Sequence, residues 1–84
     1  MKTIYTIQIG KPGEITPGSI IGVASTTEMA NELIHQYYED YIQVHYDDVR
    51  DSGIEFVKTI EVFESNGASY LVKITVLSFT LDEL

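Results

Sequence analysis

Two long runs, Ile54–Phe63 and residues 68–81, are crowded with valine, isoleucine, threonine and aromatic side chains, and Glu64-Ser65-Asn66-Gly67 stands between them. β-Branched and aromatic residues suit a pleated, half-buried surface. Asn-Gly is the strongest short hairpin signal, because both residues tolerate positive φ. The pair therefore reads as one antiparallel hairpin. A two-residue turn at Asn66 and Gly67 would set Phe63 opposite Tyr70, Val62 opposite Leu71, Phe56 opposite Leu77 and Ile54 opposite Phe79. In that register Ile54, Phe56, Ile60, Val62, Leu71, Leu77, Phe79 and Leu81 share one face, and Val57, Phe63, Tyr70, Val72, Ile74 and Val76 the other. Both faces are then largely apolar.

The rest of the chain supplies the partners of this hairpin. Residues 2–9 alternate, with Tyr5, Ile7 and Ile9 on one side and Ile4, Thr6 and Gln8 on the other, which reads as a strand. Residues 10–18 hold both prolines and three of the six glycines and form a loop on backbone grounds alone. Residues 20–24 are short, apolar and β-branched, and pair antiparallel with the first strand across that loop. Ser25 then reads as a helix N-cap, with Glu28 three residues on completing a capping box. Ala30, Leu33, Ile34, Tyr37 and Tyr41 recur at spacings of three and four, with Glu28, Asn31, Glu32, His35, Gln36, Glu39 and Asp40 on the wet side, so the helix is expected to end between residues 41 and 46.

The expected architecture is a single α+β domain over residues 1–84: a four-stranded, mainly antiparallel sheet with one helix on one face, in the order strand, strand, helix, strand, strand. Eighty-four residues hold one core. A hydrophobic share of 44% puts the chain among folded rather than disordered sequences. One helix covers one face of such a sheet, so the second face calls for a second copy of the chain, a target protein, or a bulge that reshuffles the faces.

Several chemistries are disfavoured. There is no cysteine, which removes disulfides, thiolate nucleophiles and cysteine zinc sites and fits a reducing cytoplasm. The longest uncharged run, residues 15–27, contains Pro17 and is too short for the roughly 20 apolar residues of a membrane span. A formal charge of −8 repels nucleic acid and attracts basic protein surfaces, while also keeping a protein soluble. His35 and His45 lie ten apart and share no helix face as a zinc pair would. Counting an EF-hand from Asp47 puts Val49 at position 3 and Ser52 where glycine is required. Ser25 has no nucleophile-elbow glycines beside it, and the first loop matches neither dinucleotide nor P-loop spacing. No enzymatic activity, metal or cofactor is expected.

The most unusual stretch is residues 37–51, with four of the six tyrosines and five acids against one arginine. It reads as a solvated helix end and loop, or as an interface in which tyrosine brings contact area at low entropic cost. It also resembles a partial DNA mimic. Duplex DNA carries about ten charges over the roughly 18 Å that twelve helical residues span, and this segment offers about half that density. The expected partner-binding residues are Glu28, Glu32, Glu39, Asp40, Tyr41, Tyr46, Asp47, Asp48 and Asp51.

The strand-to-helix run Ile20-Ile21-Gly22-Val23-Ala24-Ser25-Thr26-Thr27-Glu28-Met29-Ala30-Asn31-Glu32-Leu33-Ile34, with the closing Phe79-Thr80-Leu81-Asp82-Glu83, resembles small acidic accessory proteins of phages and prophages of Gram-positive bacteria. The resemblance covers about a third of the chain and carries over no functional residues. It implies a protein similar in size and acidity to inhibitors of host nucleases and CRISPR effectors. The expected function is thus binding to the basic surface of a nucleic-acid-handling protein. The alternative is a structural or assembly component that self-associates, as a homodimer, through the uncovered sheet face.

Overall fold

The computed structural model describes residues 2–11, 18–50 and 53–81. In chain order the elements are β1 (Lys2–Gly10), β2 (Ser19–Ala24), α1 (Thr27–Tyr37), β3 (Tyr41–Asp47), β4 (Ile54–Phe63) and β5 (Ser69–Leu81). The α+β class and the single helix agree with expectation. The sheet, however, has five strands, in the order β2-β1-β5-β4-β3, and every pairing is antiparallel.

The additional strand is β3, cut from what reads in sequence as the helix end. α1 stops at Tyr37, and Tyr38 turns to extended backbone (φ −119, ψ 104) while its N–H still donates to the Ile34 carbonyl at 2.9 Å. Beyond it, Tyr41, Ile42, Val44 and Tyr46 are residues that favour a pleated strand, and β4 offers an open edge to pair with. Tyr38, rather than Tyr37, is buried, because the side chain falls inward where the helix ends; Tyr37 is exposed. At the other end the N-cap is Thr26, not Ser25: the Thr26 hydroxyl accepts from the Met29 N–H at 3.1 Å, and Glu28 is one position too early for a capping box.

The hairpin register also differs by one residue. Phe63 lies opposite Ser69, Val62 opposite Tyr70, Ile60 opposite Val72 and Phe56 opposite Val76. The cause is the turn. Gly67 N–H donates to the Glu64 carbonyl at 3.0 Å, Glu64 N–H donates to the Ala68 carbonyl at 2.8 Å, and Gly67 sits at φ +88. This is a three-residue loop closed by a left-handed glycine, not a two-residue turn. Asn66 contributes its side chain, whose Oδ1 accepts from Ala68 N–H at 2.9 Å. A Cβ at residue 67 would meet nothing within 4 Å, so replacing Gly67 with valine isolates backbone strain. We expect a loss of about 1–2 kcal/mol, read from the urea midpoint; an unchanged midpoint would mean that residue 67 does not hold this conformation in solution.

The slip sorts the side chains cleanly. Phe56, Ile60, Val62, Val72, Ile74 and Val76 join Ile7, Ala24, Ala30, Ile34 and Tyr38 in one buried cluster, with Leu33 and Tyr5 packed against it. Val72, Ile74 and Val76 are therefore core, beneath the helix with Phe56, Ile60 and Val62, which the expected register put on the opposite face. α1 packs mainly on β2 and β1. Gly22 permits that approach, since a Cβ there would lie 3.3 Å from Leu33 Cδ1. The middle of the expected first loop, residues 12–17, lies outside the described residues, as does Asp51.

Candidate functional site

Among the described residues β3 is one of the two edge strands, paired only with β4, so the backbone groups along its other side have no neighbouring strand there. All but its first residue are exposed, among them Ile42, Val44 and Tyr46. Between Gln43 and His45 the register shifts, which makes Val44 the extra residue of a bulge and sharpens the local twist.

The expected binding residues distribute around this edge. Glu39 and Asp40 stand just before β3 and Asp47 and Asp48 at its end, all exposed, at opposite ends of a strand of 7 residues and so roughly 20 Å apart. Tyr41 is half-buried, its hydroxyl 3.1 Å from His35 Nε2 and its ring stacked on the imidazole at 5.0 Å. That contact ties the start of β3 to the end of α1. Tyr46 lies on the helix side of the sheet, its ring 5.5 Å from that of Phe56. Asp47 is on the opposite side, hydrogen-bonded to His45 at 3.0 Å. Asp48 accepts from Arg50 at 3.2 Å, and Arg50 also reaches Glu55 at 3.7 Å. Glu28 and Glu32 are exposed on α1. The acids thus form two poles at the ends of an exposed strand, with a third group on the helix. Glu39 and Asp40, expected on the wet side of the helix with Glu28 and Glu32, lie beyond its end.

Lys58 is a feature that sequence reading passed over. It is only 9% exposed, alternates with Phe56 and Ile60 on the core side, and donates to Asn31 Oδ1 at 2.6 Å. Its ammonium also lies 5.5 Å from the Phe56 ring centroid and 5.9 Å from that of Tyr46. The signal was present: a lysine in phase with buried apolar neighbours. Near the hairpin tip, Tyr38, Tyr70, Ile9 and Val72 border an open cleft of about 590 Å³. Sequence gave no hint of it, because it joins strands distant in the chain.

Burial governs the titration of these groups. It lowers the Lys58 ammonium from its ordinary 10.5, and raises the phenols of Tyr38 and Tyr41 above their ordinary 10.0, Tyr38 with smaller contributions from Tyr70 and Tyr37. The signs oppose. The unfolded chain holds the Lys58 proton more tightly, so stability rises with pH up to about 10.5. The folded chain holds the phenol protons more tightly, so that contribution is complete below 10.0 and is lost as pH rises through the raised values. Urea midpoints followed into the alkaline range should therefore climb and then fall. Lys58→Met should remove the climb and Tyr38→Phe should soften the fall; variants that track the parent at every pH would refute the assignment.

Among the described residues no group of three or more His, Asp or Glu is placed to hold a metal ion, and no helix is long and apolar enough to cross a membrane. No protein-family model, curated protein or solved structure matches this chain.

Proposed function

We propose that the protein is a non-catalytic binding module that sets its acidic edge strand against the basic surface of a protein that handles nucleic acid, and so blocks or modulates it. One observation carries this reading. β3 presents an edge strand of tyrosine and β-branched residues, exposed in all but its first residue, with carboxylates at both ends. Exposed apolar and aromatic surface flanked by charge is how protein interfaces are built. The net charge of −8 favours a basic partner and disfavours nucleic acid itself. Resemblance to small acidic phage accessory proteins points the same way and suggests a cytoplasmic host target, such as a nuclease or CRISPR effector. The two-pole arrangement suits charge matching at two points better than imitation of a continuous phosphate backbone, so any mimicry of DNA is partial.

The test is affinity capture from a bacterial lysate at about 0.1 M and about 1 M salt, between which the Debye length contracts from about 10 Å to about 3 Å. A nucleic-acid-binding protein retained at the lower salt, released at the higher, and displaced by added duplex DNA or RNA is the expected result. Capture that ignores both salt and nucleic acid would count against the reading.

A further inference from the structure

The side of the sheet facing away from α1 gathers apolar residues from all five strands. Val23, Thr6, Leu77 and Ile54 lie side by side across β2, β1, β5 and β4, Ile4 lies beside Phe79, and Ile42 and Leu71 flank Glu61. Phe79, Leu81, Leu71, Phe63, Ile42 and Val23 are between 42% and 58% exposed. With side chains of ~150–250 Å² for the aromatics, and somewhat less for the others, their exposed parts come to roughly 500 Å². This area falls in two parts, Phe63, Leu71 and Ile42 toward the hairpin tip and Val23, Phe79 and Leu81 toward the other end, divided by the row of Thr59 and Lys73. Contact that also covered the half-buried Ile4, Val57 and Leu77 and the polar residues between them would reach the ~800 Å² per partner of a standard interface.

Charge selects the occupant. Among the described residues, Lys2 and Lys73 share this face with Glu61 and Asp47, two bases and two acids, so these carry no net formal charge in a chain of −8. Glu55, in the bulge of β4, is paired with Arg50. Glu28, Glu32, Glu39, Asp40, Asp48 and Glu64 belong to the helix and the connections. Two copies meeting helix to helix would set acid against acid, whereas two open faces meet without a repulsive field. A basic partner finds no charge to match here. Antiparallel sheets also stack face to face, ~10 Å apart.

We propose that the open sheet face is a homodimer interface: two copies related by a two-fold axis stack their sheets face to face, with both helices outside. The two readings share β3, whose Ile42 and Asp47 side chains lie on this face, while the outer backbone edge of the strand stays accessible at the dimer's margins. Each dimer would then offer two acidic edges to a partner.

Sedimentation equilibrium of the full chain, up to hundreds of micromolar, is expected to give twice the monomer mass. Leu71→Glu and Phe79→Glu place a carboxylate at exposed positions and should each weaken dimerisation by about a hundredfold while leaving the helical circular dichroism unchanged. A readout free of variants is isotope-filtered NMR on mixed labelled and unlabelled parent protein, with contacts between copies expected at Leu71, Leu77, Phe79 and Val57. A monomer at the highest concentration would overturn the proposal, and would leave this face to another protein. So would contacts between copies confined to α1, β2 or the β3 edge, or folded variants that dimerise as tightly as the parent.

Discussion

Replacing Ile34 with aspartate is expected to abolish the folded state or nearly so. Ile34 is fully buried, in the cluster that joins α1 to Ile7, Ile60 and Ile74 across the sheet. An aspartate would forfeit the isoleucine packing and leave a carboxylate with no partner among apolar side chains. Together these cost at least about 5 kcal/mol. Generic per-residue stabilities give a chain of this length a total margin of roughly 4–13 kcal/mol, so the variant uses most of it. Among the described residues α1 is the sole helix, so no second helix takes over the contact. Ile34→Val, which removes one methylene, should cost about 0.5–1.5 kcal/mol and serves as the control. Circular dichroism and urea titration decide the matter. An aspartate variant with the parent's midpoint would show that α1 does not dock on the sheet as described.

The second large effect is on binding. Converting Asp47 and Asp48 together to lysine is expected to weaken the complex with a basic partner by about a hundredfold at about 0.1 M salt, with most of the loss vanishing near 1 M. Both side chains are exposed, and their local partners, His45 and Arg50, are surface groups, so the fold should survive. An unchanged urea midpoint would verify this. Reversal removes the pole at the end of β3 and leaves Glu39 and Asp40 at its start, so Glu39→Lys with Asp40→Lys forms the matching experiment. If both poles contribute, each pair weakens binding and the combination weakens it further. If the double variant at residues 47 and 48 binds as tightly as the parent, and DNA and RNA do not compete, the acidic edge is not the working surface and the open sheet face becomes the better candidate.

What can be learned from the chain alone follows how local each determinant is. Alternation over residues 2–9 puts Tyr5, Ile7 and Ile9 on one side, which the fold turns to the core, because in a strand the side of each residue depends only on its neighbours. The three- and four-residue spacing of Ala30, Leu33 and Ile34 likewise identifies the buried side of α1. The glycine that ends the hairpin turn is legible for the same reason, since positive φ is a property of one residue.

Other features depend on distant partners. Asn-Gly is compatible with a two-residue or a three-residue loop, and the choice moves every cross-strand pair by one. It is settled by the core: the observed register sets Ile60 beside Val72 and Phe56 beside Val76, beneath the helix, and consigns Leu71 and Phe79 to the open side. Residues 41–47 have too short a pattern to separate a helix end from a strand. The edge of β4, which supplies their hydrogen bonds, decides for the strand. Lys58 stands in the sequence as a charge among apolar neighbours, and only folding brings it Asn31 from the helix and Tyr46 from the adjoining strand. The candidate site divides in the same way. Its acidity is written in the composition. Its layout, two carboxylate poles on an exposed edge beside an open face of mixed charge and apolar residues, exists only once pairing has assigned each residue to a side of the sheet, because charge is carried by residues and a surface is made by their arrangement.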